Sequence, residues 1–228
     1  MSAEPLMEKR IAPSILPADY GRLGGQVEEV MAAGARVIHV DVMDGHFVPP
    51  ITIGLPIVDA LRDQVQSREG LLDVHLMIER PERQLADFAR AGADLITIHA
   101  EATPHLHYAL DAIRETGALA GLALNPATPP QMVDTLAALS AFDLLLCMTV
   151  NPGWGGQRYI AGSEAKVSSL AGKLAERAVV EVDGGIDATT APTAADAGAR
   201  LFVVGSSIFD TDDPGAAYRA VADSIDAA

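Results

Sequence analysis

The stretch VIHVDVMDGHFVPP, residues 37–50, begins as a β-branched run and then carries His39 and Asp41 with one apolar residue between them. Side chains on a strand alternate with period two, so His39, Asp41 and Met43 share a face. Strands of this composition are usually buried, and a buried imidazole or carboxylate is costly unless something pairs with it. What the two groups hold has to be read from the rest of the chain.

Short β-rich runs recur along the sequence, at 10–15 (RIAPSI), 36–43 (RVIHVDVM), 71–76 (LLDVHL), 94–99 (DLITIH), 119–124 (LAGLAL), 143–148 (DLLLCM), 179–183 (VVEVD) and 201–204 (LFVV). Each is followed by an Ala/Leu-rich helical pattern, the signature of βα units. In PERQLADFARAGA (81–93), Pro81 suits the first helical turn and Gly92 the stop. The phrase AGA precedes three different strands, at 33–35, 91–93 and 197–199, a weak trace of a repeated unit. Eight such units in 228 residues predict an α/β fold, a single (β/α)8 TIM barrel; an open doubly wound sheet is the alternative. No linker or low-complexity stretch divides the chain, so one domain over 1–228 is expected, with 1–8 a flexible N-terminal extension.

A formal charge of −15 argues against nucleic-acid or anionic-membrane partners, which need basic surfaces. It does not exclude a small anion held by backbone amides. The lone Cys147 rules out an internal disulfide framework and a Cys-rich zinc site. No apolar run reaches membrane-spanning length, and MSAEPLMEKR (1–10) lacks a signal-peptide core, so a cytoplasmic location is expected.

In such barrels the active site lies at the C-terminal ends of the strands. Those ends offer Ser14, His39 with Asp41, His75, His99, Asn125, Thr149, Asp183, and Gly205 with Ser206, whereas the first halves of the strands are almost wholly apolar. His39, Asp41, His75 and Asp183 form an N2O2 set suited to a divalent transition metal. Any one of these histidines taken alone reads equally well as a hydrogen-bonded core group; four polar groups at matching strand ends favour the metal. Glycines follow the last three strands: Gly153, Gly155 and Gly156 in MTVNPGWGGQ, Gly184 and Gly185 in VDGGI, and Gly205 before Ser206 in VVGSSIF. A glycine lets a backbone N–H approach an anion closely, and the loops after strands seven and eight are the usual phosphate site of these barrels.

The segments IAPSIL (11–16), HVDVMDGHFVP (39–49), DVHLMI (73–78), GLALNPAT (121–128), MTVNPGWGGQ (148–157), EVDGGI (181–186) and VVGSSIF (203–209) resemble the ribulose-phosphate 3-epimerase family along nearly the whole chain. The resemblance implies a ribulose-phosphate-binding barrel that interconverts D-ribulose 5-phosphate and D-xylulose 5-phosphate with one divalent metal ion: zinc first, with Fe(II), Mn or Co as alternatives. It implies His39, Asp41, His75 and Asp183 as metal ligands and Asp41 with Asp183 as the acid/base pair. Substrate contacts would come from Ser14, His75, the loop Gly153, Trp154, Gly155 and Gly156, then Asp183, Gly184, Gly185, Gly205 and Ser206. Met43, Met77 and Met148 would form an apolar lining, although core filling explains them as well. Family members are commonly dimers or hexamers, so a homo-oligomer is expected. The sequence departs from the family pattern at Pro17, Pro50 and Trp154, none of which removes a ligand.

Epimerisation at C3 of a ketose phosphate removes a proton beside the C2 carbonyl and returns one to the opposite face. It needs a base on each side and a Lewis acid for the intervening enediolate. One aspartate is therefore expected to be protonated at rest. No GxGxxG opens a helix after the first strand, so no nucleotide cofactor is expected. A D-allulose-6-phosphate 3-epimerase would use the same groups, and a non-catalytic sugar-phosphate binding module is the alternative of a different class. A lyase of the phosphate-barrel type needs a lysine at the mouth, and Lys9, Lys166 and Lys173 are misplaced for it. A metal-dependent hydrolase fits the stacked glycines less well. Cys147 reads as a buried, inert thiol, Asp44 as a turn cap, His46, His105 and His107 as loop or surface groups, and His99 has no assigned role.

Overall fold

Parallel strands need a crossover between them, and a helix following each strand supplies it. The computed structural model describes residues 6–174 and 177–226. Its strands are β1 (Arg10–Pro13), β2 (Val37–Met43), β3 (Leu71–Met77), β4 (Leu95–His99), β5 (Leu119–Leu124), β6 (Leu144–Met148), β7 (Val179–Asp183) and β8 (Leu201–Val204). The helices are α1 (Leu23–Ala32), α2 (Leu55–Gln66), α3 (Leu85–Ala91), α4 (Leu106–Glu115), α5 (Asp134–Ala138), α6 (Ser163–Leu174), α7 (Thr190–Asp196), α8 (Ser206–Phe209) and α9 (Pro214–Asp226). All eight strands pair in parallel in the order β1-β8-β7-β6-β5-β4-β3-β2. The ring closes between β1 and β2 through a bridge from Ser14 to His39, with the Ile15 N–H donating to the His39 carbonyl at 3.1 Å. None of the described helices is long and apolar enough to cross a membrane.

The strands begin one residue later than the sequence suggests at β2, β4 and β6, and β1 ends at Pro13. The reason is visible at Asp94 and Asp143. Each stands just before its own strand, where its carboxylate accepts the N–H of the second residue of a neighbouring strand: Leu72 to Asp94 and Ala120 to Asp143, both at 2.9 Å. In PERQLADFARAGA, Pro81 opens a separate 3₁₀ turn, Gln84 breaks it, and α3 runs from Leu85 until Gly92 ends it at φ 116°. Of the expected N-terminal extension, residues 1–5 lie outside the described residues. Leu6 is not loose: only 1% exposed, it packs with Val37, Leu95, Leu119, Leu144, Val179 and Leu201 to fill the N-terminal end of the barrel.

Two apolar layers result. One lies between the strands and the helices; the other fills the barrel below the mouth. Parity sends His39, Asp73, Thr97 and Glu181 into the barrel, where all four are fully buried. Gly121 pairs in register with Thr97, and a Cβ there would lie 2.1 Å from Thr97 Oγ1 and 3.0 Å from Thr97 Cα. The side chain of β4 thus occupies the space β5 leaves. Gly121→Ala should destabilise the protein by about 1–3 kcal/mol through overpacking, read as a lower urea midpoint at unchanged m-value. An unchanged midpoint would mean that the interior layer is looser than this packing implies.

Candidate active site and metal centre

The register of β2 on β3 sets Asp41 beside His75 and His39 beside Asp73, and that of β6 on β7 sets Met148 beside Asp183. Donor atoms of His39, Asp41, His75 and Asp183 consequently lie within 4.8 Å of one another. His39 Nε2 is 3.3 Å and His75 Nδ1 is 3.1 Å from Asp41 Oδ1, while His75 Nδ1 is 3.7 Å from Asp183 Oδ2. Ser14 donates to the other oxygen, Asp41 Oδ2, at 2.6 Å. Two imidazoles and two carboxylates at this spacing suit a divalent metal in both donor chemistry and mutual reach. The partners behind the histidines suit it too. His39 turns Nδ1 to Asp73 at 2.5 Å, which directs Nε2 at the site.

The electrostatics follow from burial. Desolvation opposes every charge in the cluster, but His39 and His75 beside Asp41 hold its carboxyl well below the usual range. For Asp183 the balance is reversed: burial, then the nearby Asp41 carboxylate, outweigh the opposing pull of His39 and raise it to about 7. His39 loses by desolvation, but Asp73 and Asp41 more than offset this and keep it protonated well above an ordinary histidine. Burial lowers His75, and lowers His99 to about 4, so both are neutral imidazoles. Glu181 is pushed well up by burial and by the neighbouring Asp73.

Above the cluster opens a cavity of about 450 Å³ lined by Ser14, Asp41, Asp183, Met43, Met77 and Met148. Its outer wall is Gly153, Trp154, Gly155 and Gly156, and its far side Gly184, Gly185, Gly205 and Ser206. His39 and His75 lie fully buried beneath these groups. At Gly185 (φ 66°) a Cβ would fall 2.2 Å from the Tyr159 nitrogen, so the close approach of that loop requires glycine. The departures Pro17 and Pro50 pack against these loops: Pro17 carbons stand 3.3 Å from where a Gly205 Cβ would be, and Pro50 Cδ 3.7 Å from that of Gly153. Trp154 is half exposed on the rim.

Other expectations resolve by position. Among the described residues no lysine lines the cavity: Lys9 donates to the Ile225 carbonyl, Lys166 to that of Asn125, and Lys173 pairs with Asp134. Cys147 is buried and its thiol is raised by desolvation to about 11, away from thiolate chemistry. Asp44 accepts the His46 and Phe47 N–H groups, and also that of Glu79, so it ties two loops together. His46, His105 and His107 are exposed, whereas His99 is fully buried behind His75 rather than at the mouth. Sequence reasoning misses Asp73, Glu181 and Glu101. The first two share strand parity with His75 and Asp183, which is the signal that locates them; Glu101 lies beyond its strand and gives none.

The Ribulose-phosphate 3 epimerase family matches residues 10–209. The chain belongs to that family. It is 47% identical over 208 residues to ribulose-phosphate 3-epimerase of Bacillus subtilis (strain 168), covering 90% of this chain and 94% of the relative. It is also 47% identical over 219 residues to ribulose-phosphate 3-epimerase of Synechocystis sp. (strain ATCC 27184 / PCC 6803 / Kazusa), covering 94% and 93%. Among solved structures, KGPDC from Streptococcus mutans has a TM-score of 0.72 at 17% identity, covering 96% of this chain and 98% of that one; it shares the fold.

Since His39 holds a proton when the site is metal-free, a cation must displace it. Metal affinity should therefore rise with pH, and calorimetry in buffers of different ionisation enthalpy should show proton release. Binding that is independent of pH between 6 and 8 would exclude this protonation pattern.

Proposed function

We propose that the chain interconverts D-ribulose 5-phosphate and D-xylulose 5-phosphate by proton transfer at C3 between two aspartates. The observation that carries this reading is a pair of unlike carboxyls, Asp41 held ionised and Asp183 raised to about 7, converging on one cavity. They stand on β2 and β7, three steps apart round the ring through β1 and β8, so a flat substrate fits between them. In one direction Asp41 takes the C3 proton and Asp183 gives one to the opposite face; the return reaction exchanges the roles. Ser14, donating to Asp41 Oδ2, holds that carboxylate in a fixed rotamer while the proton moves. Thr149 donates its N–H at 2.8 Å and its hydroxyl at 3.0 Å to the Asp183 carbonyl, which fixes the end of β7 in the same way.

His39, Asp41, His75 and Asp183 would hold the cation, which supplies Lewis-acid stabilisation of negative charge on the enediolate oxygens. Imidazole with carboxylate suits Zn²⁺ first and admits Fe²⁺, Mn²⁺ or Co²⁺; elemental analysis of protein purified without added metal decides among them. Gly184, Gly185, Gly205 and Ser206 would receive the phosphate through backbone N–H groups, which explains how a chain of charge −15 takes an anion. Met43, Met77 and Met148, all nearly buried, would keep water from the enediolate.

Turnover of the two sugar phosphates tests the substrate directly. The pentulose phosphate should have the higher kcat/KM, and a clear preference for D-allulose 6-phosphate would overturn the assignment. Asp41→Asn should leave the barrel folded and lower epimerisation by about 10²–10⁴-fold or more. A wild-type protein that binds the sugar phosphate yet exchanges no C3 proton with deuterated solvent would be a binding module.

A further inference from the structure

The side chains that line the cavity are mostly acidic where they carry charge. Asp41, Asp183 and Asp187 all stand on its wall, and a sugar phosphate would bring a dianion among them. Backbone N–H groups of the glycine loops can cradle that dianion, but they add no net charge to offset it. One lining side chain does. Arg158 is the only lysine or arginine among the described residues that line the cavity.

Arg158 is held against one of those glycine loops. A Cβ on Gly185 would fall 2.9 Å from the Arg158 carbonyl carbon and 2.2 Å from the Tyr159 nitrogen, so the chain at 158–159 rests directly on Gly185. The segment is tied down on both sides. The Gln157 amide donates to the Asn151 carbonyl at 2.7 Å and to the Trp154 carbonyl at 3.0 Å. The Ile160 N–H donates to the Thr149 carbonyl at 2.8 Å, and Tyr159 packs partly buried on the core. The backbone at Arg158 is therefore fixed at the wall while its side chain stays exposed. Gly184 and Gly185 have no side chains to stand between a guanidinium and an anion seated on their N–H groups.

The guanidinium is also uncommitted. Among the described residues Arg158 has no hydrogen-bond or ion-pair partner, although Asp187 lines the same cavity. Asp187 serves its own turn instead, accepting the Thr189 N–H at 2.7 Å and the Thr190 N–H at 2.9 Å. Arg62 and Arg114, by contrast, are spent on Asp59 with Asp63 and on Asp143. An arginine presents its donors in a planar fork that matches two phosphate oxygens at once. At the mouth of a chain of charge −15 it also provides a local positive potential for an approaching anion.

We propose that Arg158 is a substrate-binding residue whose guanidinium takes the phosphate group of the ketose phosphate, and which thereby sets the preference for a phosphorylated sugar. This rests on the proposed phosphate site and adds to it the charge that the glycine loops lack.

D-Ribitol 5-phosphate, which has no carbonyl and cannot epimerise, separates binding from turnover. Calorimetry on the metal-loaded, full-length protein should show about 10-fold weaker binding or more for Arg158→Ala. Arg158→Lys keeps the charge and loses the fork, so its affinity should fall between the two. Wild-type affinity should decline more steeply with added potassium chloride than that of Arg158→Ala, because the lost contact is a screened charge. With D-ribulose 5-phosphate, KM should rise in parallel and kcat should change less. An Arg158→Ala protein that binds the pentitol phosphate within about threefold of wild type would overturn the proposal, even in an active epimerase. So would a weaker variant with the wild-type salt dependence, since the loss would then be one of packing. A wild-type affinity insensitive to salt would overturn it without any variant. A wild-type protein that shows this arginine dependence yet does not epimerise the pentulose phosphate would leave the role of Arg158 standing and defeat the proposed activity instead.

Discussion

The structure depends on placing the Asp41 carboxylate, 3% exposed, inside a barrel whose other contents are mostly apolar. An isolated charge there is not tolerable, and each neighbour answers that constraint. Ser14 satisfies one oxygen, while His39 and His75 face the other. The histidines then need partners of their own, met by Asp73 on one side and by His99 with Glu101 on the other. The polar groups around Asp41 therefore form one connected network, not a scatter. Such networks stabilise a single arrangement when fully satisfied and are costly when one member is lost.

The network also explains why two aspartates in one cavity differ. Asp41 is compensated by imidazoles on both sides; Asp183 has the desolvation and the neighbouring negative charge, which His39 offsets only in part. One fold thereby provides a base and an acid a few ångströms apart, the requirement for moving a proton from one face of a carbon to the other. The apolar methionines and the glycine loops complete the surroundings, with Arg158, Tyr159 and Asp187 on the same lining.

Much of this architecture is legible in the sequence. Eight β-rich runs separated by helical patterns imply the barrel, because the period of two and the terminating glycines at Gly34, Gly92 and Gly198 are local signals; all three glycines have positive φ. His39, Asp41, His75 and Asp183 stand out because a polar residue near the end of an apolar strand is unusual. Asp73 and Glu181 carry the same parity but sit one layer deeper, where attention to strand ends does not reach. Glu101 is not legible: its partners Asn125 and Thr128 come from the next βα loop, and only tertiary register brings them to it. Nor can sequence show that His39 and His75 turn different nitrogens to the site, since that depends on which neighbours lie behind each ring. Leu6 is hidden for a similar reason, as its burial depends on the barrel closing over it.

The central claim is transfer between two distinct bases, and a single conversion of wild-type substrate in D₂O tests it most directly. With separate aspartates on the two faces, nearly every product molecule formed early in the reaction should carry deuterium at C3, while unreacted substrate keeps its protium. Return of the substrate's own C3 hydrogen to the product would instead require one group serving both faces, and would contradict the division of roles between Asp41 and Asp183.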